Sequence, residues 1–161
     1  MNHAPRRGRQ VSGMGGGHGM RGGGRGMGGG GAPAEIRDTF HGLLDHHEAI
    51  VRRVEEQEDG IASVTTSEDP EVVALLRRHV REISAHMEAG GGVRRWDPLF
   101  VAMGEHYEDM TMEIRDVPGG VVVVQRGSTP AAIALIQEHA RVVSGFAERG
   151  YDEAHQEHPV P

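Results

Sequence analysis

The chain has 161 residues, no cysteine and a formal charge of −7, and all 17 of its basic residues are arginine. Without cysteine it builds no disulfide, zinc–thiolate or iron–sulfur site, thiol nucleophile or covalently attached c-type haem. Residues 1–33 hold five arginines and no acid, so the remainder carries 12 Arg against 24 acids, a net of −12, which argues against a nucleic-acid-binding core.

Those first 33 residues are low complexity, with fourteen glycines. Such a stretch buries too little apolar surface to offset its backbone entropy and is expected to be a disordered tail. Read blandly, it is a flexible Arg/Gly arm for anionic surfaces. Read sharply, Met14, Met20 and Met27 with His3 and His18 form a lure for a soft ion, because thioether and imidazole ligands suit Cu(I). No apolar run has the length of a membrane span, and the start lacks the apolar segment of a signal peptide. Location in the cytoplasm is the default expectation, with export the alternative if the recorded start is incomplete.

From Ala34 onward the chain repeats itself. Residues 40–90 align with 100–150 without a gap, and 13 of 51 positions are identical, among them Phe40/Phe100, His46/His106, Gly60/Gly120, Pro70/Pro130, His79/His139 and Gly90/Gly150. Ile36, Phe40, Leu43 and His47 recur at helical spacing, which predicts a helix over 34–48; Asp97-Pro98 opens its counterpart over 97–108. Glu58-Asp59-Gly60 and Pro118-Gly119-Gly120 are turn sequences, each followed by a β-type run, at 61–66 and 121–125. Residues 48–57 and 108–117 either continue the helices or supply the partner strands; the alternation of Met110, Met112 and Ile114, and of Ile50 and Val54, favours strands. Asp69-Pro70 and Thr129-Pro130 then begin long helices that Gly90 and Gly150 stop.

The expected fold is α+β: a duplicated helix–β-hairpin–helix unit whose hairpins form one four-stranded antiparallel sheet packed by helices, with a mostly helical bundle as the alternative. Residues 34–90 and 91–150 are the two repeats of one shared domain, and 151–161 is an extension in which His155 and His158, like His41, are expected to be solvated.

Eleven histidines invite a functional reading. On the second helix of each half, Val72, Leu76, His79, Ile83 and His86, and Ala132, Ile136, His139, Val143 and Phe146, follow one face. His79 and His139 therefore point where apolar residues would, and a buried imidazole needs a hydrogen-bond partner or a ligand role. The paired His46/His106 and His79/His139, with the unpaired His86 and Met87, are the candidate metal ligands. The expected function is non-enzymatic binding of a metal ion or haem, copper ahead of haem, with affinity falling below about pH 6.5 as imidazoles protonate. The alternative is a structural or protein-interaction module whose histidines are core hydrogen-bonders, with a protein partner met through the acidic surface or the Trp96 patch. No Gly-x-Ser-x-Gly elbow or phosphate-binding loop is present, so no catalytic residues are assigned.

Overall fold

The computed structural model describes residues 32–161. The Met/His lure at Met14, Met20, Met27, His3 and His18 lies outside them. Within them the chain is α+β: α1 (Ala34–Asp45), a hairpin of β1 (Ile50–Gln57) and β2 (Gly60–Ser67), and α2 (Pro70–Glu88), then α3 (Pro98–Glu105), β3 (Met110–Val117), β4 (Gly120–Gly127), α4 (Pro130–Arg149) and the short α5 (Tyr151–Ala154). The four strands form one antiparallel sheet in the order β1-β2-β4-β3.

Three helices, α2, α3 and α4, start where a side chain accepts from an amide of the first turn. Asp69 accepts from the Glu71 amide, Asp97 from Leu99 and Thr129 from Ala132, with proline next in all three cases. Gly90 and Gly150 stop the long helices at φ of 89° and 56°, a region that side-chain-bearing residues avoid. α1 and α3 are shorter than the periodicity predicts. Each yields to a single 3-10 turn, His47–Ala49 or Tyr107–Asp109, from which the strand begins.

The halves are interlocked by reciprocal contacts. Arg77 of α2 donates to the carbonyls of Val117 and Gly120, at the turn of the second hairpin; at the equivalent place, Gln137 of α4 donates to Gln57 and Gly60, at the turn of the first. One turn further on, Arg81 pairs with Asp116 at 2.9 Å and Arg141 with Glu56 at 2.6 Å. The Ser67 amide bonds the Gly119 carbonyl and the Gly127 amide the Asp59 carbonyl. Each long helix thus clamps the other half's hairpin.

α2 and α4 cover one face of the sheet. Beneath them lie two apolar clusters, one around Val72, Leu76, Leu43 and Val121, the other around Leu99, Phe100, Leu135, Ile136 and Phe146. Each such side chain contributes roughly 1.5–3 kcal/mol by leaving water. The other sheet face carries no helix.

Candidate functional site

The duplicated histidines occupy two kinds of place. His46 and His106 each cap the end of a first helix. His46 Nδ1 donates to the Gly42 carbonyl at 2.9 Å from an exposed position, and His106 lies 3.8 Å from Asp109. His79 and His139 are half-buried against the core, His79 stacked on Phe40 with centroids 5.8 Å apart and His139 edge-on to Phe100 at 5.2 Å. Phe146 touches both phenylalanines and so joins the two pairs. Burial pushes both imidazoles down to about 4; nearby Glu82 opposes this at His79, while the Arg52 cation adds to it at His139. Both rings are therefore neutral at physiological pH. His79 Nδ1 is sealed from water and has no hydrogen-bond partner. His86 turns to the linker instead, with Nε2 3.0 Å from the Gly92 carbonyl and its ring over Gly91. Among the described residues, no three His, Cys, Asp or Glu side chains converge in a group able to hold a metal ion.

Methionines do converge. Met87 at the end of α2 and Met110 and Met112 on β3 line one cleft of about 580 Å³ together with Gly104, Tyr107, Thr111, Glu88 and Glu108. The Met87 methyl lies 3.8 Å from where a Cβ on Gly104 would stand, so glycine keeps the mouth open.

The same crossing occurs on the other side, sixty residues away, with different side chains. Ala147, Leu44, His47, Ile50 and Arg52 stand at the positions equivalent to Met87, Gly104, Tyr107, Met110 and Met112. Leu44 is buried there, and His47 Nδ1 donates to the Ala147 carbonyl at 2.9 Å. Arg52 donates to the hydroxyls of Ser144 and Thr65, and burial lowers its guanidinium to about 10. One crossing is filled and polar. The other is open and lined by thioethers.

A third set of residues departs from the sequence expectation. His158, expected in solvent, is buried: Nδ1 lies 2.7 Å from Asp97 Oδ2 and Nε2 reaches the Glu153 carboxylate at 2.5 Å. A carboxylate oxygen thus stands at each ring nitrogen. Asp97 has no exposed surface, although it lies close beneath the exterior, and it also accepts from the amides of Leu99 and His158 and from Arg94. Burial opposes its charge, but the bonds from His158 and Arg94 prevail and hold the carboxyl below its usual range; those from His158 and Arg149 do the same for Glu153. Arg94, at a φ of 48°, lies over Trp96, Phe100 and Phe146, so the Trp96 patch is tied to the chain's own cation although Trp96 stays 43% exposed. All four lone-pair directions of Asp97 are used within the chain. The set fastens residues 151–161 to the start of α3 and leaves no open position for a ligand.

The sequence named Met87 and the histidines but read Met110 and Met112 only as strand alternation. The signal that joins them is the repeat itself: each of the three methionines stands opposite a different residue in the other half, Ala147 for Met87, Ile50 for Met110 and Arg52 for Met112. Comparison of the chain with family models, curated proteins and solved structures gives no match.

Proposed function

We propose that this chain is a non-enzymatic binding protein for a soft metal ion, cuprous copper ahead of haem, and that Met87, Met110 and Met112 supply the ligands. The observation that carries this reading is the divergence of two equivalent crossings, one plugged by Leu44, His47 and Arg52, the other kept open by Gly104 and lined by three thioethers. Thioether sulfur prefers Cu(I) to the harder divalent ions and stays a ligand at pH values where imidazole is protonated. The carboxylates of Glu88 and Glu108 at the rim favour an approaching cation. His46, His106, His86 and His139 belong to this reading only as secondary ligands, since each already has its own protein surroundings. His79 is neutral and has an unpaired Nδ1, but it does not line the cleft.

The test is a Cu(I) titration of the full chain against a chromophoric Cu(I) chelator, beside a variant with Met87, Met110 and Met112 replaced by leucine. Leucine keeps the volume, so the fold survives. A second variant replaces Met14, Met20 and Met27 and isolates the tail. The cleft variant should lose at least about tenfold in affinity, equivalent to roughly 1.4 kcal/mol. Unchanged affinity in that variant, or no saturable uptake by the parent, overturns the reading; saturable haem uptake with a shifted Soret band moves it from copper to haem.

A second reading, a structural or protein-interaction module, is favoured by the packing of His79 and His139 against phenylalanine as neutral groups. Under it, His79→Gln lowers stability and leaves metal uptake as it was.

A further inference from the structure

The face of the sheet turned away from the helices is built in rows set by the strand register. Arg53, Val64, Val122 and Arg115 stand side by side across β1, β2, β4 and β3; the next row is Glu55, Ala62, Val124 and Glu113. Beyond the first row lie Val51, Thr66 and Val117. Val64 is 40% and Val51 57% exposed, and none of these valines joins either core cluster. The result is an apolar centre flanked by two arginines in one row and two glutamates in the next, with Arg126 in the row beyond the glutamates. Uncovered apolar patches of this kind, rimmed by charge, mark association surfaces.

We propose that this face is the contact between two copies of the chain. The charge pattern selects that occupant. A twofold axis lying between the two rows, along the hydrogen-bonding direction, sets Arg53 over Glu55 of the second copy and Arg115 over Glu113 of the second copy. The same operation lays Val64 on Ala62 and Val122 on Val124. An isologous contact requires such self-complementarity, and this face has it in both charge and apolarity. The pattern arises from a sign reversal between the halves. Arg53 is equivalent to Glu113 and Glu55 to Arg115, so the antiparallel pairing of β2 with β4 collects both arginines into one row. The facing itself depends on opposite signs two residues apart on each outer strand, Arg53 with Glu55 and Arg115 with Glu113. Glu113 also reaches Arg126 of its own chain at 3.2 Å, which makes the Arg53–Glu55 corner the stronger one.

With strands about 4.8 Å apart and about 3.4 Å per residue, four strands of eight residues present about 520 Å² per copy. Two such faces bury about 1,000 Å², the lower bound for a specific contact, which fits a weak, concentration-dependent dimer. Stacked sheets of this type align within about 30°, a rotation that the long arginine and glutamate side chains span.

Sedimentation of the full chain over a concentration series tests this. The parent should show a monomer–dimer equilibrium that weakens with salt. Arg53→Glu with Arg115→Glu sets glutamate against glutamate, and Glu55→Arg with Glu113→Arg sets arginine against arginine; each doubly substituted chain alone should associate about 100-fold more weakly. Mixed in equal amounts, the two should recover association, because every facing pair is again opposite in sign. All four side chains are exposed, and circular dichroism with a melting curve confirms that each variant folds. A monomeric parent, a reversed variant that dimerises like the parent, or a mixture that stays monomeric overturns the proposal, the last two by assigning the surface to another partner or to another geometry.

Discussion

The halves around residues 34–90 and 91–161 share their framework and differ at the places where chemistry or attachment is concentrated. Both have a helix, a 3-10 turn, a hairpin and a clamping helix, and both set a histidine against a phenylalanine in the core. Only the second half fastens its terminus through Asp97, His158 and Glu153, and only the crossing of α2 with β3 holds methionines around an open cleft. Where backbone and core must be satisfied, the same solution is used twice, since each half clamps the other. Where nothing structural demands equality, the halves have separated, and those positions carry the functional proposals.

The comparison can be broken most severely at the C-terminal attachment. Asp97→Ala removes the acceptor of four hydrogen bonds and leaves His158 and Arg94 buried without it, so urea unfolding should show a loss of about 3–5 kcal/mol. No residue in the first half should match this, because Arg37 occupies the position equivalent to Asp97 and is exposed.

A middle-sized effect tests the shared part. Folded His79 and His139 titrate near 4, below the ordinary 6.5, so the unfolded chain binds more protons between those values and stability falls as pH drops through that window. Each ring accounts for up to about 3 kcal/mol by pH 4, with no comparable change between pH 7 and 8. Melting curves of His79→Gln and His139→Gln at pH 7 and pH 5 should each show a flatter pH dependence than the parent, and to a similar degree. The depressed carboxyls of Asp97 and Glu153 act in a separate window: their contribution persists above the usual carboxylate range and is lost only as pH falls through their folded values.

The smallest effect sharpens the contrast between the crossings. Gly104→Ala adds a Cβ whose nearest neighbour is the Met87 methyl at 3.8 Å, an ordinary contact, and should raise stability by about 0.5–1 kcal/mol in a melting curve. Gly104→Leu reproduces the Leu44 arrangement and should close the cleft, reducing Cu(I) uptake while leaving the fold intact.

Much of this was legible in the residues. Asp69-Pro70, Asp97-Pro98 and Thr129-Pro130 announced three helix starts, the turns before Gly60 and Gly120 announced the hairpins, and the period along α2 and α4 turned His79 and His139 inward. These signals are local: a cap or a turn acts within four residues, and a helical face is set by its own repeat. His158 gave no such signal. It lies in a proline-bounded stretch without periodicity, and Asp97 was already accounted for as a helix cap, so their meeting across 61 residues depended on where α5 turned the chain.

The sequence by itself determined the elements, their order and which faces are apolar, because those follow from backbone sterics and from the spacing of water-avoiding side chains. Only the tertiary structure decided that each helix clamps the opposite hairpin, that three methionines from two elements share one cleft, and that like charges from different strands fall into one row. Those are relations between residues distant along the chain. They exist only once the sheet register and the helix docking have brought the positions side by side.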